Sequence, residues 1–188
     1  MTGRPAVFLD RDGVLNRAYV EDGVPVPPRT VARFELLPGV AETCRAFAEA
    51  GLALVVVTNQ PDLARGALDP AELDAMHVRL RAELPLDDVV VCPHDGKEGC
   101  WCRKPRPGMI LDAARRLGLD LDHSVAVGDR WRDVDAAHRA GVASVWIDWG
   151  LGEPLRDSPG ARFGSLAQAR DHVLKVCGAD GARPGHGT

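Results

Sequence analysis

The stretch Ala6-Val7-Phe8-Leu9-Asp10-Arg11-Asp12-Gly13 joins a run of apolar residues to two carboxylates that lie two positions apart. Residues i and i+2 of an extended chain point to the same side, so Asp10 and Asp12 are expected to share one face. A charged pair at the end of a buried strand is costly unless a metal or a ligand compensates it. Ligands of α/β sheets bind beyond the carboxyl ends of the strands. The stretch therefore predicts a cation-dependent site at the end of the first strand.

Further apolar runs follow the first one along the chain. They predict strands over 52–57, 89–91, 124–127 and 143–147. Helical patterns separate these runs and begin at Pro38, Asp69, near Pro107, at Asp133 and at Ser165. Strands that alternate with helices are typical of a parallel sheet with helices on both faces. We therefore predict an α/β, Rossmann-like doubly wound parallel sheet in one domain over residues 1–177, with a disordered tail at 178–188. The Pro-rich residues 16–33 are predicted to form a loop that overhangs the site.

Composition limits the classes of function. The chain has 188 residues, of which 45% are hydrophobic and 27% charged, and its formal net charge is -4. An acidic balance disfavours nucleic acid and anionic membranes as partners. No run approaches the ~20 apolar residues of a membrane span, and the N-terminus has no long apolar region of a signal peptide. We expect a monomer in the cytoplasm whose five cysteines are reduced.

Polar residues stand at the ends of several predicted strands. Thr58, Asn59 and Gln60 end the second strand, Lys104 follows the third, and Asp129 ends the fourth, with Asp133 four residues later. A single strand-end Thr, Asn or Asp is often only a helix cap. The carboxyl ends of parallel strands meet at one edge of the sheet, so the whole set is expected to converge there with Asp10 and Asp12.

This set suits phosphoryl transfer, which depends mainly on positioning and charge stabilisation. Asp10 and Asp129 can hold Mg²⁺, while Thr58, Asn59 and Lys104 can bind the remaining phosphoryl oxygens. One carboxylate of the Asp pair can attack phosphorus, and the other can serve as general acid and base. A metal-bound Asp10 stays ionised, whereas a protonated state is more accessible to Asp12.

A second cluster consists of Cys92-Pro93-His94 and Cys100-Trp101-Cys102. Four soft ligands within eleven residues can enclose one tetrahedral Zn²⁺, and the absence of an open position is typical of a structural site. Cys44 and Cys177 stand alone and are interpreted as buried free thiols. Because Lys104 follows the cluster at once, we expect the zinc-binding loop to act by fixing the position of that lysine.

The chain resembles the haloacid dehalogenase superfamily of phosphatases. Phe8-Leu9-Asp10-Arg11-Asp12-Gly13 is similar to its first motif and Val57-Thr58-Asn59 to its second. Lys104 matches the third motif and Gly128-Asp129 through Asp133 the fourth. The resemblance implies that Asp10 is the nucleophile and Asp12 the general acid and base. It also implies that Mg²⁺ is bound by Asp10, Asp129 and the backbone carbonyl of Asp12, with Asp133 supporting the site.

The cysteine-containing loop and the following Arg103-Lys104-Pro105 resemble one branch of that superfamily, the D-glycero-D-manno-heptose 1,7-bisphosphate phosphatases. This resemblance implies a small phosphorylated sugar as substrate, which is bound in part by Gln60, and no large cap domain. It also implies that Arg103 recognises the distal end of the substrate and that Arg130 lies beside the phosphate. This chain has Pro61-Asp62 after Gln60, where the branch has Ser-Gly.

Three alternatives remain at this stage. The related histidinol-phosphate phosphatases share the Cys/His loop. A phospho-accepting receiver domain also combines a doubly wound sheet with acids, a Thr and a Lys. However, its acceptor Asp follows the acidic pair on a central strand, and here the pair is followed by Thr58, Lys104 and then Asp129. A phosphatase acting on nucleic-acid ends is disfavoured by the acidic balance.

Overall fold

Parallel pairing of six strands forms the centre of the molecule. A computed structural model describes residues 3–21 and 24–179. The strands of this sheet are β1 (Arg4–Leu9), β4 (Ala53–Asn59), β5 (Asp88–Cys92), β6 (Leu119–Gly128), β7 (Ala143–Ile147) and β8 (Ala161–Phe163). Their order is β5-β4-β1-β6-β7-β8, and every neighbouring pair in it is parallel. A separate antiparallel hairpin consists of β2 (Tyr19–Glu21) and β3 (Val24–Val26).

Helices cover both faces of the sheet. They are needed on both because successive apolar side chains of β1 point to opposite faces. Val7 and Leu9 belong to one apolar cluster, and Ala6 and Phe8 to the other. The helices are α1 (Val40–Glu49), α2 (Pro61–Ala64), α3 (Pro70–Glu83), α4 (Gly108–Leu117), α5 (Trp131–Ala140) and α6 (Leu166–Val176), with a 3-10 turn at Val31–Arg33. Buried residues of α1, α3 and α6 join the first cluster, and those of α4 and α5 join the second. The predicted doubly wound α/β fold is confirmed.

The strand order reverses beside β1, and this reversal locates the ligand crevice. From β1 the chain first builds outward through β4 and β5, and then returns to place β6 on the other side of β1. At such a switch point the loops leave the sheet in opposite directions and open a crevice at its carboxyl edge. Asp10 and Asp129 directly follow the two strands that meet there.

Some short elements were not predicted from the sequence. The region 16–33 contains the β2–β3 hairpin, and the short helix α2 and the edge strand β8 were also missed. The sequence also predicts that Glu72 completes a capping box with Asp69. Asp69 does accept a hydrogen bond from the amide of Ala71, but Glu72 accepts one at 2.6 Å from the amide of Val31. Glu72 therefore connects helix α3 to the 3-10 turn.

The C-terminal region is described only in part. Gly178 and Ala179 follow helix α6, and the amide of Ala179 donates to the carbonyl of Leu174. Residues 180–188 of the predicted disordered tail lie outside the described residues. Within the described ranges, none of the helices has the length and apolar character that a bilayer crossing requires.

Two neighbouring positions of α3 test how this helix packs. Met76 is fully buried, whereas Val78 is 70% exposed. We expect Met76→Ala to lower the free energy of unfolding by about 2–5 kcal/mol, because it leaves a cavity in the core. The matched control Val78→Ala should change it by less than about 0.5 kcal/mol. Urea unfolding of both variants measures the difference, and equal effects would contradict the described orientation of α3.

Candidate active site

A cavity of about 350 Å³ opens at the carboxyl edge of the sheet. Most of the predicted site residues line it, and the β2–β3 region covers one side, as expected for the loop after Asn16. The predicted residues in its wall are Asp10, Asp12, Thr58, Asn59, Arg103, Lys104, Asp129 and Arg130. The structure thus brings together side chains that lie more than 100 positions apart in the sequence.

The carboxylate of Asp10 lies between a backbone amide and a buried ammonium. Its Oδ1 accepts a hydrogen bond from the amide of Arg11 at 2.8 Å and lies 3.0 Å from the Nζ of Lys104. Lys104 is only 4% exposed, and its Nζ also lies 2.5 Å from Asp133 and donates to the carbonyl of Val57 at 2.9 Å. Burial alone would lower the pKa of Lys104, but Asp10 and Asp133 outweigh it and raise that pKa. Lys104 therefore stays charged and joins the ends of β1 and β4 to helix α5.

Two glycines allow the carboxylates to approach the backbone. At Gly13, which has a φ of 89°, a Cβ atom would lie 2.2 Å from Oδ2 of Asp129. At Gly128 a Cβ would lie 2.1 Å from the Cβ of Asp133. Contacts this short are sterically forbidden. These positions explain why glycine follows the Asp pair and precedes Asp129 in the sequence.

Asp10, Asp129 and Asp133 form a cluster whose charge is not balanced. One oxygen from each lies within 4.8 Å of the others, and among the described residues Lys104 is the cation that contacts the cluster directly. Burial, and then the neighbouring carboxylates, raise the pKa of Asp129 well above its usual value. Burial also raises the pKa of Asp10 to about 6. Oδ1 of Asp129 is buried without a hydrogen-bond partner. Three carboxylates against one ammonium leave a site that fits a divalent cation with oxygen ligands.

The carboxylate of Asp12 is surrounded by hydrogen-bond donors. The guanidinium of Arg11 approaches both of its oxygens, at 3.0 Å to Oδ2 and 3.1 Å to Oδ1 through Nη2. Asn16 donates to Oδ1 at 2.9 Å, and Gln60 donates to Oδ2 at 2.8 Å. The carboxylate of Asp12 is thus held by its own set of donors and is not among the carboxylates that cluster with Asp10.

The structure gives Gln60 and Asn59 positions that differ from the predicted substrate contacts. Gln60 is fully buried beneath the cavity, and its amide donates to Asp12 and to the hydroxyl of Thr58. Asn59 does line the cavity, but its side chain exchanges two hydrogen bonds with the backbone of Lys104, at 3.1 and 3.2 Å. Asn59 therefore holds Lys104 in place through both of its polar atoms. The side-chain nitrogen of Gln60 is likewise occupied by Asp12 and Thr58, whereas its Oε1 is buried and finds no hydrogen-bond partner among the described residues.

Arginines at the mouth of the cavity were missed by the sequence reasoning. Arg29, Arg65 and Arg132 line it together with the predicted Arg103 and Arg130. Arg29 and Arg65 both pair with the buried Asp62, at 2.9 and 3.4 Å. The only sequence signal for Arg29 was its place in the predicted overhanging loop. The cavity therefore has an acidic floor and a basic mouth, a distribution that suits an elongated anionic ligand.

The predicted zinc ligands converge beside β5. The Sγ atoms of Cys92 and Cys100 lie 3.7 Å apart, and Nδ1 of His94 lies 3.6 Å from Cys92 and 3.4 Å from Cys102. Tetrahedral Zn²⁺ with bonds of about 2.3 Å to sulfur and 2.0–2.1 Å to nitrogen places its ligand atoms about 3.5–3.8 Å apart. Burial raises the pKa of Cys92 to about 12, and a bound cation would instead keep its thiolate deprotonated. The donor set and its spacing fit zinc.

Hydrogen bonds connect the Cys/His cluster to the cavity. The carbonyl of Cys92 accepts from the amide of Gln60 at 2.8 Å. Arg103 lines the cavity, and its Nη1 donates to the carbonyl of His94 at 2.8 Å. The next residue is Lys104, whose backbone is held by Asn59. The loop therefore determines where Arg103 and Lys104 lie.

Comparison with known proteins places this geometry in a family. Residues 101–173 match the HAD-hydrolase-like family model. The chain is 40% identical over 154 residues to the D-glycero-beta-D-manno-heptose-1,7-bisphosphate 7-phosphatase of Bordetella bronchiseptica, covering 78% of this chain and 82% of that protein. It is 39% identical over 144 residues to the corresponding alpha-anomer phosphatase of Mycobacterium bovis, covering 73% and 74%.

A solved structure agrees with the sequence relatives. The crystal structure of the D,D-heptose 1,7-bisphosphate phosphatase from B. bronchiseptica, complexed with magnesium and phosphate, superposes with a TM-score of 0.78. Its sequence identity is 35%, and the match covers 91% of this chain and 98% of that one. As its sequence relatives and its fold show, the chain belongs to the heptose-1,7-bisphosphate 7-phosphatase family of HAD-like hydrolases.

Proposed function

We propose that this chain is a Mg²⁺-dependent phosphatase that removes the 7-phosphate of D-glycero-D-manno-heptose 1,7-bisphosphate and releases heptose 1-phosphate. The observation that carries the proposal is the buried carboxylate of Asp10, which faces a cavity together with Asp12, Lys104 and Asp129. Membership of the heptose-1,7-bisphosphate phosphatase family supports this substrate.

Asp10 is the nucleophile in this proposal. The amide of Arg11 and the ammonium of Lys104 both contact its Oδ1, so Oδ2 is the oxygen left to attack phosphorus. As the bond from Oδ2 to phosphorus forms, the bond from phosphorus to the sugar oxygen breaks and an aspartyl phosphate results. Water then attacks that phosphorus, restoring the Asp10 carboxylate and releasing inorganic phosphate.

Asp12 moves the protons of both steps. In the first step it protonates the departing sugar oxygen, and in the second it accepts a proton from the attacking water.

The remaining residues of the site bind the phosphoryl group or support those that do. The hydroxyl of Thr58 accepts a hydrogen bond from Gln60, so its own hydrogen is free to donate to a phosphoryl oxygen. Mg²⁺, held by Asp10, Asp129 and the carbonyl of Asp12, would neutralise charge on the phosphoryl group. Asp133 supports the site by accepting from the amide of Arg130 at 3.0 Å while contacting Lys104.

The basic mouth supports a substrate with a second phosphate. Arg103 and Arg130 lie at the cavity wall, and Arg130 is paired with Glu153 at 2.8 Å. Arginine binds phosphate through paired, charge-assisted hydrogen bonds. In this proposal Arg103 binds the phosphate at the other end of the sugar, and Arg130, which directly follows Asp129, lies beside the reacting phosphate at the acidic floor.

Zn²⁺ is the second cofactor of the proposal. Cys92, His94, Cys100 and Cys102 supply four ligands and no open position, so the ion is structural. Its role is to hold the loop from which Arg103 and Lys104 project.

Substitution of the zinc ligands tests that role. We expect about one zinc per chain in protein from zinc-containing medium, and Cys102→Ala should lose it because three ligands bind more weakly than four. Turnover should fall with the zinc content, since Lys104 loses its fixed position. The matched control Cys177→Ala, at a buried free thiol, should keep the metal. Elemental analysis gives the ratio, and full zinc occupancy in Cys102→Ala would refute the assignment.

The nucleophile assignment predicts the behaviour of Asp10→Asn. We expect phosphate release to fall more than about 10³-fold, because the amide cannot form the phosphoryl intermediate. The variant should remain folded, since burial already disfavours the Asp10 charge and raises its pKa to about 6. The exposed control Asp122→Asn should be as active as the parent. Phosphate release with saturating Mg²⁺ is the measurement, and substantial turnover by Asp10→Asn would exclude this nucleophile.

A comparison of phosphate esters tests the substrate. We expect kcat/KM for heptose 1,7-bisphosphate to exceed that for histidinol phosphate and for hexose 6-phosphates by at least about tenfold. The second phosphate adds charge-assisted hydrogen bonds, each of which is equivalent to a factor of about ten or more. Both anomers belong in the comparison, because relatives of both kinds match the chain at similar identity. Equal or faster hydrolysis of histidinol phosphate would favour the alternative substrate.

A further inference from the structure

Arg11 is a fully buried arginine that lies between the two aspartates of the first motif. Its Nε and Nη2 point to the carboxylate of Asp12, at 3.0–3.3 Å. Its Nη1 lies 3.2 Å from Nε2 of His77 on helix α3. A buried ion pair contributes little to stability compared with apolar residues of the same size. The cost of burying this guanidinium therefore calls for a role other than stability.

The contacts of Arg11 determine the orientation of Asp12. The guanidinium contacts both oxygens of that carboxylate, while Asn16 donates to one and Gln60 to the other. Donors on several sides leave the carboxylate few alternative rotamers. General acid and base catalysis depends on such positioning, because the proton must pass over a distance of one hydrogen bond.

His77 holds the opposite side of the guanidinium. Burial, followed by the charge of Arg11, lowers the pKa of His77 to about 4, so the imidazole is neutral at ordinary pH. A neutral imidazole whose Nε2 is unprotonated accepts the hydrogen bond from Nη1 of Arg11. His77 is not among the residues that line the cavity. Its influence on the site runs through Arg11.

We infer that Arg11 and His77 are positioning residues for proton transfer by Asp12: His77 holds Arg11, and Arg11 holds the Asp12 carboxylate. Among the described residues, neither Arg11 nor His77 lines the cavity, and the side-chain hydrogen bonds of Arg11 are to Asp12 and His77. The inference rests on the proposed phosphatase activity and on the proton-transfer role of Asp12. It assigns a function to a contact between residues 66 positions apart.

Comparing the first chemical step for two leaving groups tests this inference. A sugar oxygen must be protonated as it departs, whereas an activated aryl oxide leaves without a proton. Loss of the Asp12 orientation should therefore slow the phosphorylation of Asp10 by a sugar phosphate by about tenfold or more. This is part of the rate enhancement of about 10²–10⁴ that general acid catalysis contributes. With an aryl phosphate, the rate at which the initial burst of aryl oxide is released should stay within about threefold of the parent rate. The substrate concentration that gives half the maximal rate of this first step should change by less than about twofold for both esters, because neither Arg11 nor His77 lines the cavity.

The variants are His77→Leu, His77→Gln and Arg11→Met. His77→Leu removes the acceptor of Arg11, and His77→Gln restores one and should recover most of the rate. The control His123→Leu changes an exposed histidine that lies on β6, well before its carboxyl end, and should behave as the parent. If Arg11→Met does not fold, His77→Leu decides the matter, because its side chain does not touch Asp12. Combined with Asp12→Asn, His77→Leu should add no further loss.

Each remaining outcome contradicts the inference. Equal slowing of both leaving groups would show that His77 and Arg11 support the fold of the site in general. Parent rates in His77→Leu and Arg11→Met would show that Asp12 needs neither residue. A parent protein that releases no phosphate from either ester, with Mg²⁺ present, would overturn the proposed function itself and this inference with it.

Discussion

The contact of the Lys104 ammonium with Asp10 and Asp133 is the interaction on which the site depends. It joins the ends of three elements at the carboxyl edge of the sheet: β1 supplies Asp10, the loop after β5 supplies Lys104, and helix α5 supplies Asp133. Burial raises the pKa values of Asp10 and Asp129 even though the charge of Lys104 lowers them. One ammonium offsets this cost only in part, so the cluster retains affinity for a divalent cation.

The position of Lys104 is in turn determined by its surroundings. Asn59 bonds to its backbone from the end of β4, and the Cys/His cluster fixes the loop that precedes it. The two metal-ligand clusters are therefore physically connected, although they differ in chemistry. The Cys/His cluster, with soft ligands and no open position, shapes the loop. The cluster of Asp10, Asp129 and Asp133, with hard oxygen ligands, lies at the cavity floor. From this division we expect turnover to depend on four residues that lie outside the cavity wall, Cys92, His94, Cys100 and Cys102.

The two aspartates of the first motif have different environments because the chain bends between them. Asp10 faces Lys104 and the other buried carboxylates, while Asp12 faces Arg11, Asn16 and Gln60. A carboxylate in the first environment favours a cation, and one in the second is held by donors. The proposed roles of nucleophile for Asp10 and proton carrier for Asp12 rest on this difference.

Short-range patterns in the sequence predicted much of this protein's structure. The apolar run of β1 predicted a buried strand, the alternation of strands with helices predicted a doubly wound sheet covered on both faces, and strand-end acids predicted the cation cluster. The spacing of Cys92, His94, Cys100 and Cys102 predicted their convergence, because a short loop brings them within bonding distance. The β2–β3 hairpin, α2 and β8 escaped prediction, because three- and four-residue elements carry too little periodicity.

The sequence by itself determined the fold class, the edge of the sheet where the site lies and the residue types of both clusters, since these depend on local periodicity and on the geometry of parallel strands. Only the tertiary structure decided which partner each polar atom takes. Gln60 hydrogen-bonds to Asp12, and Asn59 to the backbone of Lys104. Arg11 contacts His77, which lies 66 positions further along the chain. Those contacts depend on how helices and loops pack onto the sheet, and hydrogen-bond partners distant in the chain leave no periodic trace in it.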